Sequence, residues 1–204
     1  INIIPIKQLI VCCETFYDIT SLTPLRLFLL DYEEFLAYEH KYDASSLNHF
    51  FQLGGFAHMH KLHQDERVSY IQRILKAALS DIELDILIFC TKMTAQKVSP
   101  YSIYERLKQN RKISKDKLYE SFDSLCKKGY IYELQKTDHP KAIRKIYLCD
   151  ISLKSAITIE KHFGRLFENM IYLELLKSGR ECFYDDGIDF YLPHTEEVII
   201  GVPF

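Results

Sequence analysis

Apolar positions change period several times along the chain, and each period predicts an element. Gln8 to Cys13 (QLIVCC) and Arg26 to Leu30 (RLFLL) are short unbroken apolar runs, the pattern of buried strands. Asp31 to Tyr38 then predicts a helix, with Asp31 as its N-cap and Phe35 and Leu36 on its apolar side. Gly54-Gly55 punctuates the next segment. From Asp65 onward, Val68, Ile71, Ile74, Leu75, Ala78 and Leu79 recur at the three-four spacing of one helix face.

The middle of the chain has a clear order of parts. Ile82 to Phe89 predicts an apolar helix, and Ser99-Pro100 is a cap followed by a first-turn proline, opening a helix that carries Ile103 and Leu107. Ser114 caps a third helix with Leu118, Phe122 and Leu125 on one face, and Gly129 ends it. Tyr130 to Leu134 and Lys145 to Leu148 predict strands, joined by the polar loop Gln135 to Arg144 with His139-Pro140 at its turn. Three short helices followed by a β-hairpin is the winged-helix arrangement. After it, Phe163 to Lys177 predicts a helix with Phe163, Leu166, Phe167, Met170 and Ile171 as its stripe, stopped by Ser178-Gly179. Cys182 to Tyr184 and Ile188 to Leu192 predict strands around the turn Asp185-Asp186-Gly187, and Val198 to Val202 a third strand.

Composition adds little until it is divided. The 204 residues are 48% apolar and 26% charged, with a net charge of −2, which excludes a disordered tail or a disulfide-rich miniprotein. No apolar run is long enough to cross a bilayer and no signal-peptide pattern opens the chain, so we expect a cytoplasmic protein without a membrane partner. The six Cys have no C-x-x-C pair and read as reduced thiols, most of them small buried hydrophobes. By segment, residues 1–80 carry 7 basic and 9 acidic side chains, residues 81–149 carry 14 and 9, and residues 150–204 carry 5 and 10. The −2 is therefore a cancellation, with a basic middle segment between two acidic neighbours.

Three constellations carry candidate chemistry. In the hairpin, Lys136, Lys141, Arg144 and Lys145 are placed to neutralise phosphates beside a groove. The third helix offers Lys115, Lys117, Lys127 and Lys128, but also Asp116, Glu120 and Asp123, which disfavour base readout from it. The same charges would equally serve as a solvated face of a module that docks protein. In the last third, Asp189 points away from Ile188, Phe190 and Leu192 on an alternating strand, and Glu168 lies on the preceding helix, where the two carboxylates could approach. A metal-dependent nuclease would add a Glu-x-Lys pair on the next strand, but Gly201-Val202-Pro203 stands there, without a ligand or an ammonium group. His58-x-His60-x-x-His63 is the densest histidine cluster, and no Cys or carboxylate at recognisable metal spacing joins it before Asp65 and Glu66.

Taken together, several segments resemble the C-terminal portion of prokaryotic AAA-type ATPases, in which an ATPase domain precedes a winged helix and a nuclease-like domain. QLIVCCET followed by TPLRLFLLDYEEFLAYE resembles the late ATPase strand and the segment entering the helical lid. FFQLGGFAHM resembles a "Y-x-x-x-GGFP" stretch, with Ala57 in place of Pro. YIQRILKAALSDIE resembles the helix from lid to winged helix. HFGRLFENMIYLELLKSGRECFY with IDFYL resembles "G-x-x-x-EN-x-V-x-x-EL…VDF" of a terminal PD-(D/E)xK-like domain.

The resemblance implies an α+β, helix-rich multidomain chain. Residues 1–80 would be a remnant of the ATPase core strand plus helical lid, residues 81–149 a winged helix-turn-helix, and residues 150–204 a truncated, degenerate restriction-endonuclease-like domain. The chain has no G-x-x-x-x-G-K-[ST] loop and no apolar strand ending in paired acids, so ATP and Mg²⁺ would belong to the intact family member and no cofactor to this chain. The chain opens on Ile1 rather than Met, which we read as processing, cleavage or a piece of something longer, with the nucleotide site upstream. Thr15 would stand at the strand end where such ATPases place a polar sensor residue. The leading expectation is a non-catalytic region coupling an upstream ATPase domain to DNA or protein. A free-standing winged-helix DNA-binding regulator is the second reading and a Mg²⁺-dependent nuclease the third. A homo-oligomer is compatible with all three.

Overall fold

A computed structural model describes Thr23, residues 27–160 and residues 162–202; the strand expected at Gln8 to Cys13 and the sensor position Thr15 lie outside these described residues. The fold is α+β, about 51% helical, with two small three-stranded antiparallel sheets. Leu27 to Leu30 do not form the strand that their apolar run predicts. Leu30 N–H donates to the Gly55 carbonyl (3.0 Å), which belongs to a glycine turn and not to a strand.

Helix α1 (Tyr32–Glu39) begins as predicted at Asp31, whose carboxylate accepts the Glu34 N–H at 2.7 Å while Glu34 returns to the Asp31 N–H at 3.2 Å. Helix α2 (Ser46–Leu53) buries Phe50, Phe51 and Leu53 and stops at Gly54, where φ is +67°. The turn that follows has no room for side chains. A Cβ on Gly54 would come within 1.9 Å of Asp150 Oδ1, and one on Gly55 within 2.3 Å of the Leu30 carbonyl. A 3₁₀ turn at Ala57–Lys61 leads to α3 (Gln64–Ala78), which buries Ile71 and Leu75, with Leu79 just beyond its end. Val68 is 45% exposed, so the buried stripe is narrower than the three-four spacing predicts.

The middle segment runs α4 (Asp81–Lys92), β1 (Gln96–Val98), α5 (Pro100–Leu107), α6 (Lys115–Lys127), β2 (Ile131–Leu134) and β3 (Arg144–Leu148). Its punctuation is as the sequence predicts. Ser99 accepts the Ser102 N–H at 3.1 Å, Ser114 accepts the Lys117 N–H at 3.2 Å, and Gly129 turns the chain at φ +73°. Strand β1 has no sequence signature, because three residues are too few to alternate. It exists because β3 has two edges: β2 takes one and β1 the other, giving the order β1-β3-β2. Beyond β3 come α7 (Ser152–Ile157), α8 (Phe163–Lys177), and a second sheet of β4 (Phe183–Asp185), β5 (Ile188–Leu192) and β6 (Glu197–Ile199) in sequential order. The turn between β4 and β5 has Gly187 at φ +81°, and β6 is shorter than the apolar run that predicts it.

Two cores result. The larger joins α1 to α7 with Ile131, Ile146 and Leu148 from one side of the first sheet. The smaller lies between β3, α8 and the second sheet, around Tyr147, Tyr172, Tyr184, Phe190 and Leu192. Tyr147 stacks on Tyr172 with ring centroids 4.2 Å apart and planes at 11°. Strand β3 thus contributes to both cores, and that position sets up everything below. No helix among the described residues is long and apolar enough to cross a membrane.

Candidate functional site

The carboxylates Glu168 and Asp189 do meet, and a lysine stands between them. Side chains alternate along β3, so Lys145 and Tyr147 share the face opposite Ile146 and Leu148 and look toward α8 and β5. Lys145 Nζ donates to Glu168 Oε1 (2.8 Å) and to Asp189 Oδ1 (3.2 Å). Tyr147 Oη donates to the same Glu168 Oε1 at 2.7 Å, and the Gly201 N–H donates to Asp189 Oδ2 at 2.9 Å. Burial, followed by the Glu168 charge, pushes the Tyr147 phenol up, so it remains a donor. The charged side chains are only 12% (Lys145), 14% (Glu168) and 24% (Asp189) exposed.

This donor set does not fit a divalent cation. Mg²⁺ requires near-octahedral oxygen ligands, and here an ammonium group already neutralises the two carboxylates from the position between them. Among the described residues, no group of three or more His, Cys, Asp or Glu side chains could hold a metal ion. What the arrangement can do is tie β3 and the Gly201 segment to α8 and β5, since lysine, phenol and backbone amide from the first two all end on acids of the other two. Asn169, wholly buried on α8, adds a second stitch. Its Oδ1 accepts the Leu148 N–H (2.8 Å) and its Nδ2 donates to the Leu148 carbonyl (3.0 Å). Strand β1 reaches only as far as Ile146 on that edge, so the carboxamide continues the ladder where the strand has ended.

The hairpin loop is also engaged from within. Thr137 N–H donates to the Tyr184 carbonyl and Tyr184 N–H to the Gln135 carbonyl, both at 2.9 Å, laying the loop alongside β4. Lys136 reaches Asp185 and Asp186 in the β4–β5 turn, and Lys97 of β1 reaches Asp186 at 2.9 Å. Those two lysines, Lys136 foremost, hold the Asp186 carboxyl down at about 2. Arg144 pairs with Glu133 across the hairpin at 2.7 Å. Lys141, at the loop tip, is exposed and has no ion pair among the described residues.

Helix α6 distributes its charges by face. Lys127 pairs with Asp123 (2.6 Å) and Lys117 with Glu120 (2.9 Å). Lys128 turns inward to Glu83 of α4 (2.7 Å), which also accepts from Ser124 and Ser80. Burial alone would raise the Glu83 carboxyl, but those hydrogen bonds outweigh it and hold the group at about 2. Lys115 has no carboxylate partner among the described residues; its ammonium lies over the rings of Tyr101 (5.4 Å) and Tyr119 (5.5 Å).

Asp150, two residues beyond the end of β3, is a third joint. Its carboxylate accepts the Gly55 N–H (2.6 Å), the Ser152 N–H (2.8 Å) and the Ser152 hydroxyl. Burial raises its carboxyl to about 6 despite these donors. The three histidines do not converge: His60 pairs with Glu39 between the rings of Phe35 and Tyr38, His58 lies against Tyr70, and His63 precedes α3 with its N–H on Glu66. Cys90, Cys126, Cys149 and Cys182 are free thiols, and burial pushes all four up, Cys182 to about 11 and Cys126 to about 12.

Lys145, Glu168 and Asp189 are legible in the sequence as charges, but not as one cluster. Tyr147, Asn169 and Asp150 are not anticipated as site residues at all. The Glu168-Asn169 dipeptide lies inside the "EN" element of the resemblance, and that was the available signal for Asn169. Asp150 could have been sought as the partner of the Gly54-Gly55 turn. Compared with models of known protein families, with curated proteins and with solved structures, the chain matches none.

Proposed function

We propose that the chain is a non-catalytic coupling region of an AAA-type ATPase, in which a winged helix at residues 81–149 is fastened to a degenerate nuclease-like unit and presents a binding surface to DNA or protein. The observation that carries this reading is the ammonium of Lys145 between Glu168 and Asp189. A nuclease needs its carboxylates free to hold Mg²⁺ and its lysine free to meet water, whereas here the three charges satisfy one another. The stitches from Lys145, Asn169 and Asp150 tie β3 to elements on either side of it, so a movement imposed on one side is transmitted to the other rather than absorbed by a loose linker.

The reading is tested by incubating the chain with plasmid DNA and Mg²⁺ or Mn²⁺, and separately with ATP and Mg²⁺. Neither nucleic acid nor nucleotide should be hydrolysed. Cutting that disappears in Asp189→Ala, or ATP turnover by this chain, would overturn it.

A further inference from the structure

We infer that the face shared by α5 and the first half of α6 is a binding surface for single-stranded nucleic acid, in which Tyr101 and Tyr119 stack bases while Lys115 and its neighbours take the phosphates. This rests on reading the region as a binding module rather than an enzyme, and it names the partner. Three observations carry it. Tyr101 is 52% and Tyr119 38% exposed, large rings left open at the surface. Lys115 sits over both ring faces, and Tyr104, with its ring 6.4 Å from Tyr101, has Lys108 above it at 5.2 Å. Arg106 and Lys112 on the same stretch are exposed, and neither they nor Lys115 has an ion pair among the described residues.

Helix geometry and ion pairing explain why the acids of α6 do not cancel this. Residues four apart share a face, so Asp116 and Glu120 lie on the stripe beside that of Lys115 and Tyr119, with Glu120 held by Lys117 (2.9 Å). Asp123, one turn beyond Tyr119 on the first stripe, is held by Lys127 (2.6 Å). Glu105, the carboxylate of α5, is paired with Lys108 at 2.5 Å, and Asp116 is the exposed acid nearest to Lys115 in the chain. Cations interleaved with open aromatic rings suit a flexible strand, whose bases are free to stack. In a duplex the bases are already stacked on one another and present only edges and phosphates. The same surface would treat an acidic protein segment as charge alone, without using the rings. An arriving phosphate draws the Lys115 ammonium off the rings and leaves them free for the bases.

The experiment is fluorescence anisotropy of a labelled oligothymidylate of about twenty nucleotides with the full chain, repeated with a duplex and with polyglutamate as competitor, across a salt series. Salt-sensitive binding is expected, tighter to the single strand than to the duplex. Tyr101→Ala with Tyr119→Ala should weaken it about tenfold or more, while the corresponding Phe pair keeps it, because stacking needs the ring and not the hydroxyl. Lys115→Ala should lower both the affinity and the salt slope, and Lys127→Ala, at the far end of α6 and paired with Asp123, should leave both unchanged. Circular dichroism checks that these surface variants are folded. The inference is overturned by absence of binding at low salt, by an Ala pair that binds as well as the parent chain, by preference for the duplex, or by polyglutamate competing as well as the oligonucleotide. Cleavage of the oligonucleotide with Mg²⁺ would instead sink the non-catalytic reading, so the two failures are distinct.

Discussion

Strand β3 and the α5–α6 face both belong to the basic middle segment, yet they treat their cations in opposite ways. On and around β3, Lys145, Lys136, Lys97 and Arg144 all end on carboxylates of this same chain. On the α5–α6 face, Lys115 rests on aromatic rings, and Arg106 and Lys112 reach into solvent. The lesson is that a positive segment is not by itself a binding surface. Each cation has to be followed to its partner. Here the acidic last third takes Lys97, Lys136 and Lys145, and acids of the middle segment itself take others such as Arg144 and Lys128. Lys115, Arg106 and Lys112 have no ion pair among the described residues.

That contrast can be broken first at Lys145. Lys145→Ala leaves Glu168 and Asp189 facing each other largely out of water, and should lower the unfolding free energy by about 3 kcal/mol in a urea titration. Adding Glu168→Gln and Asp189→Asn should recover part of the loss, because the repulsion disappears with the charges. Full stability in Lys145→Ala would mean that β3 is not fastened by this cluster. Asn169→Leu comes next, at a cost of about 2 kcal/mol, since the Leu148 N–H and carbonyl lose the carboxamide that pairs them past the end of β1. Amide exchange at Leu148 should accelerate in that variant.

Asp150 sharpens the comparison through pH. Its carboxyl is raised from an ordinary 3.8 to about 6, so the folded chain holds this proton more tightly than the unfolded one. The Asp150 contribution is therefore complete below about pH 4 and is lost as pH rises through about 6, a change on the order of 3 kcal/mol. Subtracting the pH profile of Asp150→Asn from that of the parent chain should isolate this slope. A flat difference would contradict the burial of that carboxylate.

The smaller effects lie at the surface. Asp185→Asn with Asp186→Asn releases Lys136 and Lys97, so amide exchange should rise at Thr137 and Tyr184, with little change in overall stability. Tyr101→Ala and Tyr119→Ala, on the open face, should each stay within about 0.5 kcal/mol of the parent chain. A larger loss there would make those rings structural and bring the two regions closer in kind.

Much of the local structure is legible in the sequence. Asp31, Ser99 and Ser114 announce helix starts because a side-chain oxygen must satisfy the open N–H groups there, and Gly129 and Gly187 mark turns that need positive φ. Helix α8 and the Asp185-Asp186-Gly187 hairpin lie where periodicity and turn chemistry put them. Strand β1, helix α2 and helix α7 escaped, since short elements held by neighbours leave no period of their own. The run Leu27 to Leu30 misled for the matching reason: apolar residues predict burial, but a strand also needs a partner edge.

The sequence by itself determined where helices start and stop, which residues avoid water, and how charge is distributed among three segments. These follow from backbone chemistry, side-chain polarity and counting, all of which act over a few residues. Which lysine meets which carboxylate was decided only by the tertiary structure. Lys145 and Asp189 are 44 positions apart and Gly55 and Asp150 are 95, and nothing local brings them together. Packing β3 between two cores does so, and in doing so it turns charges from distant parts of the chain into a joint.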